Sequence, residues 1–457
     1  MINKNEEYIV EIIDNGFNGE GIAKIDNFAV FIDNAIKGEK VKIHILKVLK
    51  THAYAKIIEI IEPSSKRVET NCNTYSQCGG CQLRHIDYGK TLDVKTSIVE
   101  NCIYKALGKN AKVENTIGMG IPTHYRNKLQ YPVGINENNK PIMGVYSERT
   151  HKIIETKKCL IQNEDCNNIA QDIFNWIKDN HIPVYDEKNL NGIVRHIVIR
   201  IGKNTNEIMV TLVLREDKLK LEKELVQLLT NKYKNIRTIV KNFNPDNTNV
   251  ILGKKTKVIY GDGYIYDILG NYKFKISPLS FYQVNPTQTE ILYNTGIEFA
   301  ELTGKETIFD LYCGIGTIGI FASDKVKKVY GIEVIPEAIK DAQENAKINN
   351  IENTEFFVGE VENVLPKLIE ERQLVADVIF IDPPRKGCDP TTLDTILKIE
   401  PKKIIYISCN PATLARDLKD LTKKYEIKKV QPVDMFPYTS HVECVVLLGL
   451  RGNDKTQ

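Results

Sequence analysis

No stretch of this 457-residue chain approaches the roughly 18 consecutive apolar residues that a membrane span requires. The opening residues, Met1-Ile2-Asn3-Lys4-Asn5-Glu6-Glu7, carry charges and lead into no apolar run of the kind that makes a signal peptide. Internal repeats and low-complexity tracts are also missing, which excludes solenoids and disordered arrays. The expectation is a cytoplasmic protein with no membrane partner. Thiols stay reduced in that compartment, so the ten cysteines are not read as a disulfide framework and become candidates for metal binding and catalysis. A large excess of one charge is lacking too: the net charge is only +3.

What is present is size and a segregation of charge. At roughly 100–200 residues per domain the length predicts two to four domains, and 42% apolar with 26% charged residues is an ordinary globular composition. Cut at Pro63 and at Ile276, the chain divides into residues 1–63 with 8 Lys+Arg against 10 Asp+Glu, residues 64–276 with 33 against 22, and residues 277–457 with 21 against 27. The positive excess therefore sits in the middle segment, where it suits a polyanion held by phosphate contacts.

Residues 1–63 read as short strands, Tyr8–Ile13, Gly21–Ile25, Ala29–Ile32, Lys40–Val48 and Ala53–Ile61, separated by Gly, Asn and Asp turns. Five such strands predict a small closed barrel of the oligonucleotide-binding type. The turn Asn15-Gly16-Phe17-Asn18-Gly19-Glu20-Gly21 resembles the opening of a TRAM domain, an RNA-binding barrel. Six lysines between residues 37 and 56 meet only Glu39, which leaves room for one basic side. The middle segment, 64–276, reads as mixed α+β, with amphipathic helices near Asp87–Leu107 and Glu164–Asn180; the first is a candidate to pack on the next domain. From Ser277 onward seven strands alternate with helices until the last two, a doubly wound α/β arrangement whose ligands sit beyond the carboxyl ends of the strands.

Three features gather at that edge. Asp310-Leu311-Tyr312-Cys313-Gly314-Ile315-Gly316 follows the first strand, and Glu333, 19 positions beyond Gly314, ends the second. A glycine loop alone is equally a structural turn. With an acidic residue at this spacing it suits a nucleoside whose ribose hydroxyls the carboxylate accepts, and the missing first glycine of the dinucleotide fingerprint favours S-adenosylmethionine. Asp382-Pro383-Pro384-Arg385 follows the fourth strand with Arg385 where enzymes that methylate exocyclic amines carry an aromatic, which leaves methylation of a ring carbon open.

Carbon 5 of a pyrimidine becomes nucleophilic once a thiolate adds to carbon 6. Cys409 ends the fifth strand, followed by Asn410 as N-cap and Pro411 as first helical residue, so the helix N-terminus is expected to favour its thiolate. Glu443, on the otherwise apolar last strand, is the candidate base that removes the carbon 5 proton.

The runs SPLSFYQVN (277–285), DLYCGIGTIG (310–319), DPPRKG (382–387), SCNPATLARDL (408–418) and PYTSHVECVVLL (437–448) together resemble the RNA uracil-5 methyltransferase family. With the TRAM-like start the resemblance covers nearly the whole chain, and the run around Cys409 is its most specific part. It implies a seven-stranded methyltransferase domain, Cys409 as nucleophile, Glu443 as base, and cofactor contacts from Gln283, Tyr312, Glu333 and Asp382. It also implies a target uridine flipped out of an RNA fold.

Cys72, Cys78, Cys81 and Cys159 supply four thiols in the basic segment, a donor set for zinc or an iron–sulfur cluster. The C-x5-C-G-G-C run resembles the iron–sulfur branch of the same family, which implies a 4Fe-4S cluster with zinc as the alternative. That branch and the barrel favour 23S rRNA over tRNA as the RNA partner, for a protein expected to act as a monomer. The competing readings are carbon 5 methylation of cytosine, whose enzymes set their cysteine after Pro or Thr, and a non-catalytic iron–sulfur RNA-binding protein.

Overall fold

Alternation of apolar and polar residues from Glu7 to Glu62 builds the first sheet of the computed structural model, which describes residues 2–108, 111–148 and 150–452. Val30, Ile32, Val41, Ile43, Ile45, Ala53 and Ala55 point inward and are buried, while their neighbours face out. Among the described residues this sheet has six strands. The run expected as one strand over Tyr8–Ile13 is two, Glu7–Glu11 and Asp14–Asn15, because it turns a corner: Glu7–Glu11 pairs with Lys40–Val48, Ile12 bonds back to Glu39, and Ile13 bonds to Ile22. That corner closes the barrel, since the two pieces lie at opposite ends of the strand order.

The second sheet has the order Lys255–Tyr260, Ile236–Phe243, Ile208–Leu214, Val194–Ile201, Lys128–Ile135, Pro141–Tyr146, Ile153–Glu155, and helices Glu164–Asp179 and Glu222–Lys232 bury their apolar stripes on it. The third has the order Thr354–Val358, Lys328–Glu333, Thr307–Leu311, Val378–Ile381, Lys403–Ser408, Glu443–Leu450, Tyr425–Val433; all pairings are parallel except those of Glu443–Leu450. Helices lie on both faces, in the doubly wound α/β form. The helix that opens at Pro411 stops at Leu421, because the buried Tyr425 already starts an edge strand and its hydroxyl donates to Pro401 O at 2.8 Å.

Helix Tyr88–Leu107, capped by Asp87, belongs by packing to this third sheet: Val99 and Ile103 share a core with Leu414 and Leu418 of helix Pro411–Leu421. The following segment adds short bridges, Val113 to Val430 and Ile117 to Val433. One turn of the same helix carries Lys95, fully buried, with Nζ 2.5 Å from Asp434 and 3.0 Å from Phe436 O. Tyr88 donates to the other Asp434 oxygen at 2.9 Å and accepts from Met119 N. Removing one partner of such a pair leaves an uncompensated buried charge, at a cost of about 3–5 kcal/mol. Lys95→Met is therefore expected to lower unfolding free energy by about 3 kcal/mol in a denaturant titration, and to be partly rescued by adding Asp434→Leu; a double variant no more stable than the single one would show that the lysine acts by its stem alone.

Candidate active site

The carboxyl ends of four parallel strands and the start of the antiparallel one meet at a single edge. Ser408 pairs with Cys444 across strands Lys403–Ser408 and Glu443–Leu450. Cys409 directly follows Ser408 and Glu443 directly precedes Cys444, so the two flank the last pair of the register and lie within electrostatic reach of each other. Cys409 then hands the chain to Asn410, whose side chain accepts from Ala412 N at 3.0 Å and donates to Arg385 O at 3.1 Å. The cap of the helix thus holds the loop that carries Asp382 and Arg385.

Burial raises the acids here. Glu443 is 3% exposed, and desolvation, reinforced by the Asp382 carboxylate, pushes its carboxyl up to about 8 against the opposing Arg385. Burial pushes Asp382 up to about 7. The Cys409 thiol, half-buried, is pushed up to about 12 by burial first, then by Glu443 and Asp382, with Arg385 opposing. Burial, with the Glu443 and Asp382 carboxyls, thus pushes the Cys409 thiol in the direction opposite to the one expected of a helix N-terminus.

The loop after strand Thr307–Leu311 is held by two carboxylates. Asp310, fully buried, accepts from Gly319 N at 2.8 Å through one oxygen while the other has no partner, and burial lifts its pKa to about 7. Glu333 accepts from Gly314 N at 3.2 Å and Ile335 N at 3.0 Å. Tyr312, Gly314 and Gly316 all have positive φ, which bends the backbone round the strand end. Exposed Val334 and Ile335 follow Glu333 and offer an apolar wall beside the carboxylate. Gln283 lies half-buried in the loop before helix Pro286–Ala300, its carbonyl accepting from Asn127 Nδ2 at 3.0 Å.

Residues the sequence did not single out complete the site. Asp417 accepts from Tyr406 Oη at 2.7 Å, from Cys388 N at 2.8 Å and from Arg416, so the helix behind Cys409 grips the far end of the Asp382 loop. Phe281, 70% exposed, projects two residues before Gln283. Lys128, Arg126 and Arg200 converge from the second sheet; burial and the two guanidinium groups push Lys128 down to about 7. Arg200 donates to Ser280 O at 3.0 Å, and the influence of Arg126 reaches His441, which burial holds near 4. Their only forewarning in the sequence is the charge excess of the middle segment.

The four expected metal-ligating cysteines come together from two loops. Cys78, Cys81 and Cys159 are pushed up, first by burial and then by neighbouring thiols, and each of the four thiols, Cys72 included, is within electrostatic reach of at least two others. Among the described residues no three His, Cys, Asp or Glu side chains are arranged to hold one ion. The same segment docks on the lip before Glu443: Leu83 N donates to Tyr438 O at 2.9 Å, Gln82 accepts from Ser440 N at 3.2 Å, and Arg84 lies 4.2 Å from the Tyr438 ring centre.

Against known proteins, residues 87–451 match the family model described as tRNA (Uracil-5-)-methyltransferase and residues 3–58 match the TRAM domain. A Clostridium tetani protein curated as an uncharacterized RNA methyltransferase is 46% identical over 99% of this chain and 98% of its own length; its counterpart in Clostridium acetobutylicum is 48% identical over 98% of each. Among solved structures, the Pyrococcus abyssi tRNA (uracil-54, C5)-methyltransferase in complex with S-adenosyl-L-homocysteine superposes with a TM-score of 0.78 at 26% identity, covering 96% of this chain and 100% of that one.

Because folding raises the Glu443 pKa, the folded state holds that proton more tightly than the unfolded chain does. This contribution to stability is complete below the ordinary value of 4.5 and is lost as the pH climbs towards about 8. Glu443→Gln is expected to melt with the wild type near pH 5 and above it near pH 9, by about 2 °C or more in calorimetry. Equal melting at both pH values would mean that the carboxylate is solvated.

Proposed function

The chain belongs to the tRNA (Uracil-5-)-methyltransferase family and is an S-adenosylmethionine-dependent RNA methyltransferase; on that premise we propose that it methylates carbon 5 of a uridine through a covalent Cys409 adduct. The observation that carries this reading is the register that sets Cys409 beside Glu443 at the sheet's binding edge.

S-adenosylmethionine, when bound, supplies an electrophilic methyl group. Glu333 and the Tyr312–Gly316 loop fit its nucleoside: a carboxylate at a strand end, left-handed backbone that admits close approach, and the apolar Val334–Ile335 wall. Gln283 and Asp382 would complete the contacts. The half-buried thiol of Cys409 loses its proton to solvent and its sulfur adds to carbon 6 of the uracil, sending the 5,6 double-bond pair toward carbon 5 and the carbon 4 oxygen. Carbon 5 takes the methyl; Glu443, as carboxylate, then removes the remaining carbon 5 proton, the double bond re-forms and sulfur leaves. A carboxyl near 8 is a stronger base than a solvated one, which suits this last step. Arg126 and Lys128, half-buried, would receive the backbone phosphates beside the flipped base, with Phe281 against its face and Arg200 buried on Ser280 O behind them.

The RNA we propose is 23S rRNA. The cysteine-bearing segment that grips the catalytic lip supports it, because the sequence resemblance ties such a segment to the ribosomal branch of the family. We carry Cys72, Cys78, Cys81 and Cys159 as ligands of a four-iron cluster. Sulfur-only donors that destabilise one another's thiolates would be relieved by shared positive charge, and the C-x5-C-G-G-C run that resembles the iron–sulfur branch of the family is what favours a cluster over one zinc.

With 5-fluorouridine RNA and cofactor the wild type is expected to form an adduct stable to denaturing electrophoresis, and Cys409→Ala none. Glu443→Gln on ordinary RNA should accumulate a methylated covalent complex with turnover reduced at least about a hundredfold. Full turnover by that variant would remove Glu443 from the mechanism. Isolated without oxygen, the protein should show a visible absorption that dithionite bleaches and that Cys81→Ser lacks; colourless protein with one zinc per chain would overturn the cluster.

A further inference from the structure

Asp310 carries an acid that the packing round it does not explain. It is fully buried near the end of strand Thr307–Leu311, and among the described residues no cation pairs with it. One oxygen accepts from Gly319 N at 2.8 Å; the other has no partner. An asparagine oxygen would accept that amide equally well, so the bond accounts for a polar side chain and not for an acidic one. A buried carboxyl without a cation is costly, and asparagine, of the same shape, would avoid the cost.

The surroundings add negative charge. Leu311 pairs with Ile381 and its carbonyl accepts from Asp382 N at 3.4 Å, which stands Asp382 beside the end of the Asp310 strand. Glu333 ends the strand on the other side, and after burial it is Asp382 and then Glu333 that raise Asp310, with only the Gly319 amide opposing. Tyr293, buried on helix Pro286–Ala300, has its phenol pushed up by burial and then by Asp382, Asp310 and Glu443, with the Thr317 hydroxyl 3.2 Å away opposing. Three acids from three strand ends therefore act on one buried point. The glycine loop contributes the Cys313 thiol, which burial, Asp310 and Glu333 push up. Arg385 opposes the shifts of Glu443 and Cys409 but is not among the groups that act on Asp310 or Asp382.

The order of the strands says what this charge faces. Across the sheet the edge residues run Glu333, Asp310, Asp382, Cys409, Glu443. Glu333 suits the ribose of the cofactor, and the methyl has to reach a ring bonded to Cys409, so the methyl-bearing sulfur belongs to the stretch of edge between them. Asp310 and Asp382 occupy that stretch. S-adenosylmethionine and S-adenosylhomocysteine share adenosine, carboxylate and ammonium group; they differ by one methyl and by the positive charge on sulfur. In an enclosure of low polarity, fixed carboxylates act on such a charge far more strongly than they would in water.

We propose that Asp310, with Asp382, selects the charged cofactor over the neutral product: the pair supplies the counter-charge of the sulfonium from within the sheet edge, so that S-adenosylmethionine binds with release of a proton from the pair to solvent and S-adenosylhomocysteine binds without it. Asp310 does this through its charge, from behind the strand end, and is a specificity residue that touches no reacting atom. The pair takes its proton back from solvent once the charge on sulfur is gone, which weakens the hold on the product and favours its exchange for fresh cofactor.

This inference rests on the reading of the edge as the cofactor site, with Glu333 on the ribose, and the test separates the two. Full-length protein is titrated by calorimetry, in two buffers of different ionisation enthalpy, with S-adenosylmethionine, S-adenosylhomocysteine and an analogue that carries a protonated amine in place of the methylated sulfur. Near pH 6, roughly one proton is expected to leave for each S-adenosylmethionine or amine analogue bound, and none for S-adenosylhomocysteine. Between about pH 5.5 and about pH 7.5 the ratio of the two dissociation constants should shift about tenfold in favour of S-adenosylmethionine, because a carboxyl that must ionise to receive the cation does so more readily as the pH rises. Asp310→Asn, which keeps the Gly319 bond, is expected to weaken S-adenosylmethionine about tenfold, to leave S-adenosylhomocysteine within about twofold, and to lower the proton count. Glu333→Gln should weaken both ligands alike, since both carry the ribose. Equal proton counts for the two ligands in the wild type, or an equal loss of both in Asp310→Asn, overturns the selection. Thermal melts without ligand establish that the variant is folded; should it not be, the wild-type proton counts and the amine analogue decide alone. Separation of the ligands by Asp310→Asn with no effect of Glu333→Gln on either would keep the selection and remove the ribose reading.

Discussion

Desolvation of three acids at one strand edge sets the terms for the rest of this molecule. Cys409, Glu443 and Asp382 share an enclosure in which each charge raises the cost of the next, and Arg385 is the cation that opposes the shift of both Glu443 and Cys409. At neutral pH such a group holds its protons. The Glu443 and Asp382 carboxyls both raise the Cys409 thiol, so its ionisation is easier when they are protonated.

Such an enclosure holds only if its walls do not yield. The wall before Glu443 is the segment from Asp434 to His441, an irregular stretch that the edge strand alone would not fix. It is fixed by a buried ion pair with Lys95, by Gln288 donating to Asp434 O at 3.1 Å, by Asn285 donating to Met435 O at 3.0 Å, by Tyr125 donating to Pro437 O, and by Gln82, Leu83 and Arg84, which follow Cys81. The opposite wall, Asp382 to Cys388, is fixed by Asn410, Thr413 and Asp417 from the helix behind the nucleophile. Residues of the SCNPATLARDL run that never approach a substrate are accounted for by this second set of bonds.

The sequence made legible whatever was written in one contiguous run. The seven strands of the last sheet, the glycine loop and the N-cap at Asn410 all follow from local spacing. What stayed hidden depends on partners from distant segments. The period of helix Tyr88–Leu107 shows that one face is buried, but period carries no information about which sheet covers it. The helix N-terminus at Cys409 suggests a low thiol pKa, whereas Asp382 and Glu443, from two other elements, set it high. The barrel's lysines read as one basic run, yet Asp14, Glu62 and Glu7 silence half of them across strands. Arg126, Lys128 and Arg200 form a cluster only because two antiparallel strands and a preceding loop converge.

That cluster also explains why an acidic catalytic segment can serve a polyanion. Residues 277–457 carry 21 basic against 27 acidic side chains, so the attraction has to come from outside, and it comes from the second sheet at the rim of the cleft. The charges that shift Glu443 are Asp382 and Arg385, not these three. Were they inside, beside Glu443, they would lower its pKa as Arg385 already does in part, and the carboxylate left after ionisation would be a weaker base for the proton at carbon 5. That separation therefore fits the proposed mechanism, in which the Glu443 carboxylate acts as the base.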